Sequence, residues 1–120
     1  MHLMSERRVK SVVLAVVGIV GVVLSVPVAL AEALSMEEGT ALAKSSACLA
    51  CHQIDSRRVG PSFKQISERY AGQSDAVEIL VDSVRKGGRG KWGAIPMPAQ
   101  AQVSPENARN LAEWILAIEP

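Results

Sequence analysis

Apolar positions along this 120-residue chain fall into three regimes. From Val12 to Leu24 every residue is Val, Leu, Ala, Ile or Gly. From Met36 onward apolar residues recur three or four apart, the spacing of helices buried on one face. From Gly87 to Val103 no period survives, and that stretch holds four glycines and two prolines. No alternation of period two and no internal repeat is found, so the pattern predicts an all-α domain.

The helix boundaries are marked by short polar signals. Ser35-Met36-Glu37-Glu38 has the capping-box form and predicts a helix from about Met36 to Ser46, with Leu42 and Ala43 turned inward. Gly39 is a poor helix former, and a close helix–helix contact is its expected reason. Gly60-Pro61 breaks the chain. Ser62 caps a short helix to about Tyr70, with Phe63 and Ile66 on one face. After the turn Ala71-Gly72-Gln73, Ser74 is the expected cap of a third helix, with Asp75 in its first turn. Ala76, Ile79, Leu80 and Val84 follow at helical spacing, and Gly87-Gly88 stop that helix. Ser104-Pro105-Glu106 opens a last helix. Its apolar face is Ala108, Leu111, Ala112, Ile115 and Ile118, with Trp114 beside it. The segment between the last two helices is either an ordered loop or a floppy one.

The apolar run near the amino terminus reads differently. Arg7, Arg8 and Lys10 precede it, and Ala29-Leu30-Ala31 follows Ser25 and Pro27. Basic head, apolar middle and small-x-small end describe a signal peptide over residues 1–31, cut before Glu32. The rival is an uncleaved anchor, since Val12 to Ala31 is just long enough to span a bilayer. Either way the domain of residues 32–120 is exported.

Export changes the charge. Residues 1–31 hold three of the 13 basic and one of the 12 acidic residues, so the remainder carries ten against eleven. A net charge of −1 argues against nucleic acid, which requires a basic surface. So small a domain buries a limited core and often needs a disulfide, metal or cofactor. Its aromatic residues are Phe63, Tyr70, Trp92 and Trp114 alone, so something else is expected to fill the centre.

The only two cysteines stand in Cys48-Leu49-Ala50-Cys51-His52. Zinc usually takes four protein ligands, and no second cluster supplies them. A thioredoxin-type pair belongs to a strand–helix–strand setting, which is missing. A disulfide across two residues closes a tiny loop and removes little unfolded-state entropy. Covalent haem attachment is the remaining reading, and a histidine directly behind the second cysteine is its signature. Two thiols one helical turn apart can reach two vinyl groups on one porphyrin edge, and the histidine then stands over the iron.

A sixth iron ligand is then needed. His2 falls in the leader. Met36 lies one helix upstream and would have to face the wrong side of the plane. Met97, in Ile95-Pro96-Met97-Pro98, is held between two residues of fixed φ and is the expected thioether ligand. A ligating imidazole needs its other N–H oriented by an acceptor, and the carbonyl of Pro61 is the candidate. Trp92, in Gly90-Lys91-Trp92-Gly93, either covers a haem edge and donates to a propionate or anchors the loop.

Taken with Val59-Gly60-Pro61-Ser62-Phe63, Tyr70-Ala71-Gly72-Gln73, Trp92-Gly93-Ala94-Ile95-Pro96-Met97-Pro98 and Leu111-Ala112-Glu113-Trp114-Ile115-Leu116, the chain from Met36 to Glu119 resembles the short bacterial class I cytochromes c that serve nitrite reductases and terminal oxidases. The resemblance implies four to five helices wrapped around one covalently bound haem c. It implies thioethers at Cys48 and Cys51, His52 and Met97 as axial ligands, Pro61 supporting His52, and Trp92 on a propionate. It also implies that the first and last helices cross, with Gly39 and Leu42 near Leu111 and Trp114. Ala43 departs from relatives, which often carry an aromatic there, so looser packing is expected.

Two filled axial positions favour outer-sphere electron transfer rather than catalysis. The expectation is a monomeric periplasmic one-electron carrier and not an enzyme. Its donor and acceptor are redox proteins, such as a nitrite reductase, a terminal oxidase or a bc1-type complex. It meets a membrane only if the leader is kept. The rival functions are an anchored haem subunit of a membrane complex and a ligand-binding or peroxidatic haem protein. Arg57, Arg58, Arg89 and Lys91 are candidates to steer an acidic partner, unless they are ordinary solvated charges.

Overall fold

Ser35 opens the first helix by a reciprocal cap. Its hydroxyl accepts from the Glu38 amide at 3.3 Å while the Glu38 carboxylate accepts from the Ser35 amide at 3.0 Å. In the computed structural model, which describes residues 32–119, this cap begins α1, Met36–Ser45. A second box, between Ser62 and Gln65, begins α2, Phe63–Tyr70. Helix α3 runs Ala76–Lys86, and α4, Pro105–Leu116, starts with Ser104 accepting from the Asn107 amide at 3.1 Å. A short 3-10 turn, Cys48–Ala50, lies between α1 and α2. The expected signal peptide of residues 1–31 lies outside the described residues.

The start of α3 corrects one expectation. Asp75, not Ser74, occupies the cap, and no side chain caps it. The turn after Gly72 closes with Gln73 N donating to Tyr70 O and Ala76 N to Gln73 O. The chain thus enters the helix one residue later, through backbone bonds alone.

Helix α4 touches each of the other three, α3 most extensively. Its buried face is Ala108, Leu111, Ala112, Trp114 and Ile115, with Ile118 just beyond. Burying a side chain of Leu or Ile size contributes about 1.5–3 kcal/mol, which outweighs the marginal stability of an isolated 12-residue helix. Trp114, expected beside this face, is 1% exposed and sits at the centre. Gly39 of α1 is the reason it fits, because any Cβ there would overlap the indole. Ala43, one turn further along α1, is completely buried. The end of α4 is capped from α2: the buried Ser67 hydroxyl lies 3.2 Å from Leu116 O and 2.8 Å from Ile118 O.

No strand occurs among the described residues; one isolated antiparallel bridge joins Gly88 and Met97. No helix among them is long and apolar enough to cross a membrane. The core leaves a cavity between α2, α3 and the loop after α3, and the sequence motifs gather around it.

Candidate functional site

The cysteine motif follows directly from the way α1 ends. Ser46 closes the helix, and Ala47 turns left-handed at φ 60°. Such a conformation costs an alanine roughly 1–2 kcal/mol, and it swings the chain into the Cys48–Ala50 turn. Cys51 N and His52 N both donate to Cys48 O, at 3.1 and 2.9 Å. The two cysteines and the histidine therefore share one helical turn. Both thiols are free and half-buried. Burial pushes the Cys48 thiol up from its ordinary range, which favours the protonated, compact apolar form.

His52 is 8% exposed. Its Nδ1 lies 2.7 Å from the carbonyl oxygen of Pro61. A carbonyl only accepts, so Nδ1 carries the hydrogen, and in the neutral ring the lone pair is therefore on Nε2. The ring has two close neighbours. Phe63 stacks on it at 5.4 Å between centroids, and Phe63 in turn meets Trp114 edge-on at 5.3 Å. Gly60 comes so close that a Cβ would lie 2.6 Å from Cε1. Gly60 is itself fixed by donating to Cys51 O at 2.8 Å. Gly60-Pro61, which the sequence marks as a break, thus forms the seat of the imidazole.

Met97 reaches the same cavity from the opposite end of the chain. Gly88 N donates to Met97 O at 3.0 Å, and Met97 N to Gly88 O at 2.8 Å. Gly87 makes the approach possible: its φ is +73°, and a Cβ would lie 2.5 Å from Met97 O. Gln100 N then donates to Val84 O at 2.8 Å. The loop is therefore ordered at its base, and the prolines around Met97 are only part of the reason. Gly87 and Gly88 contribute to the site in a way that their role as a helix stop did not reveal.

His52 and Met97 both line a cavity of about 370 Å³, together with Cys51, Pro61, Tyr70 and Leu80. A smaller space of about 50 Å³ shares these two residues and extends to Cys48, Phe63 and Leu111. The larger volume lies in the range of small-molecule and cofactor sites. Trp92 is half-buried on the wall. The guanidinium of Arg69 lies 4.4 Å from its ring centroid, and Arg57 Nη2 donates to its carbonyl at 2.9 Å. The site thus brings together all six residues singled out in the sequence: Cys48, Cys51, His52, Pro61, Trp92 and Met97.

These features fit a covalently tethered haem: paired thiols, one imidazole with an available Nε2, a thioether and apolar walls. The model of the cytochrome c family matches residues 36–119.

The chain belongs to the cytochrome c family.

Among its relatives, a cytochrome c-551 of Pseudomonas denitrificans is 46% identical over 81 residues, covering 68% of this chain and 98% of that protein. A cytochrome c-552 of Hydrogenobacter thermophilus is 45% identical over 78 residues, covering 65% of this chain and 79% of that protein. The crystal structure of Nitrosomonas europaea cytochrome c552 superposes with a TM-score of 0.65 at 42% identity, covering 67% of this chain and 99% of that one. The resemblance to small class I cytochromes c read from the motifs is therefore correct, as are the all-α class and the cofactor. This cytochrome is a class I electron carrier with one covalently bound haem c, and not an enzyme.

Proposed function

We propose that this cytochrome is a periplasmic one-electron carrier in which Cys48 and Cys51 form the thioethers and His52 and Met97 the two axial bonds. The bond between His52 Nδ1 and Pro61 O carries this reading. In the neutral ring it leaves one nitrogen lone pair, on an imidazole packed against its close neighbours Gly60 and Phe63, beside the cavity that Met97 also lines. The bound haem supplies a one-electron iron couple whose potential is raised by a thioether ligand.

The chain's own residues hold this ligand set still. His52 is fixed by Pro61, Phe63 and Gly60, and Met97 by its bridge to Gly88. Little need rearrange between oxidation states, which is what a carrier requires. Trp92 stands on the cavity wall beside Lys91, where its indole N–H would donate to a propionate of the bound haem.

The domain of residues 32–120 is released by cleavage before Glu32 and works as a soluble monomer. Its partners are redox proteins that meet the exposed haem edge; a nitrite reductase, a terminal oxidase and a bc1-type complex are candidates. Arg89 and Lys91 line the cavity and are exposed, Arg58 is exposed, and none of the three belongs to the ion pairs found among the described residues. They attract an acidic partner. Arg57 is engaged with the Trp92 carbonyl and contributes field rather than contact.

The test is an intact-mass measurement and a ferric spectrum of the protein purified from periplasm. The expected mass is that of residues 32–120 plus one haem. The expected spectrum is low-spin, with the weak long-wavelength band of methionine–iron charge transfer. Met97→Ala removes that band and opens the iron to carbon monoxide. An unchanged spectrum in this variant would overturn the ligand assignment, and an intact leader would overturn the soluble carrier.

A further inference from the structure

The loop between α3 and α4 is held in two different ways. Its base is closed by backbone bonds, from Gly88 to Met97 and from Gln100 to Val84. Its apex is not. Among the described residues, positions 89–96 make no backbone–backbone hydrogen bond. Gly90 and Gly93 both take positive φ there, at 79° and 121°, so the apex has little intrinsic stiffness. Trp92 nevertheless sits half-buried on the cavity wall.

Two arginines account for this. Arg69, in the last turn of α2, donates through Nη1 to the Lys91 carbonyl and lays its guanidinium over the Trp92 ring. Arg57, in the segment after the cysteine motif, donates through Nη2 to the carbonyl of Trp92 itself. Neither arginine forms an ion pair among the described residues. Their donors are committed to successive carbonyls of an apex that has no backbone–backbone bond and whose other tether is the bond from Lys91 Nζ to Ser83 Oγ at 3.3 Å. Arginine suits the task, because one planar group can donate to a carbonyl and cover an aromatic face together, which an ammonium cannot do.

We propose that Arg57 and Arg69 are positioning residues that pin the loop apex through Trp92 and so keep the cavity shut over the Met97 side. The proposal rests on Met97 being an axial ligand. The Gly88–Met97 bridge fixes where the methionine stands; the arginine pin sets how often the loop above it opens. Opening is what an external ligand needs in order to displace the thioether.

The test uses the ferric holoprotein and two readouts. The first is the rate at which added imidazole replaces the methionine, followed by loss of its charge-transfer band. The second is hydrogen–deuterium exchange of the amides of residues 89–96. Losing an exposed charge-assisted bond and a stacked cation raises both about three- to tenfold in Arg69→Gln. The rise is larger in the double variant Arg57→Gln/Arg69→Gln. The amides of Gly88 and Met97 stay protected, since their bridge is untouched. Arg69→Lys keeps the charge but not the fork and behaves like Arg69→Gln. Lys64→Gln, which removes one charge from the same helix, changes neither readout.

Unchanged rates and exchange in the double variant would overturn the pin. So would an equal rise in Lys64→Gln, which would assign the effect to charge alone. Failure of the ligand assignment looks different: the wild-type protein would show no methionine band from the outset, while exchange at the apex would still report on the arginines.

Discussion

The backbone of Gly39 in α1 lies directly under the indole of Trp114 in α4, with no room for a side chain between them. Trp114 also meets Phe63, and Phe63 stacks on His52. A helix–helix contact and the imidazole therefore belong to one continuous chain of aromatic contacts. Gly39→Ala should force the two helices apart and cost about 1–3 kcal/mol, as overpacked cores do. Thermal unfolding of the holoprotein measures this. A midpoint equal to that of the parent would mean that the contact yields easily.

Gly87 presents a second close approach, on the methionine side. Alanine there must adopt a positive φ and find room beside Met97 O, 2.5 Å from the position of its Cβ. The bridge to Gly88 should open as a result. Gly87→Ala is expected to weaken the methionine band and speed imidazole binding while leaving the haem attached. Full retention of the band would show that the prolines around Met97 suffice.

Ala47 is strained where Gly39 and Gly87 are crowded. Its φ of 60° suits glycine. Ala47→Gly relieves about 1–2 kcal/mol of strain and gives back about 0.4–1 kcal/mol through the unfolded chain. The net expectation is a stability equal to the parent's or up to about 1.6 kcal/mol greater. A clear loss of stability, read from denaturant unfolding, would show that the methyl group packs usefully.

The α1 cap carries a pH dependence of definite sign. Hydrogen bonds from the Ser35 hydroxyl and amide hold the Glu38 carboxyl below its ordinary value of 4.5. A depressed carboxyl stabilises the fold above its unfolded pKa, and that contribution is lost as pH falls through the folded value. Ser35→Ala should therefore lower the melting temperature at neutral pH, and the gap from the parent should narrow below about pH 4.5. A gap that stays constant through that range would assign the loss to the hydroxyl's bond with the Glu38 amide alone.

Much of this architecture was legible because its signals are local. Ser35 with Glu38 and Ser62 with Gln65 form boxes within four residues, and the cysteines and His52 share one turn. The acceptor role of Pro61 could be anticipated from the needs of a ligating imidazole. Helical periodicity alone puts Trp114 at the edge of the apolar face; its contact with Gly39 was expected from the family resemblance and not from spacing. The start of α3 was missed by one residue, since Ser74 resembles a cap and the backbone turn preceding it leaves no trace in composition. The Gly88–Met97 bridge joins residues across an aperiodic stretch, and two glycines after a helix read simply as its stop. Arg69 carried no signal at all: a charged residue on the outer face of a helix is ordinary until its neighbours in space are known.

The bridge between Gly88 and Met97 works as the neck of an eyelet, with residues 89–96 as the thread passing round it. A neck sewn shut by its own two strands lets the thread vary in length without displacing what hangs from the stitch. Insertions or deletions confined to the eyelet should therefore alter the rim presented to a partner while sparing the thioether, making this the place where such a scaffold can be retailored for a new acceptor.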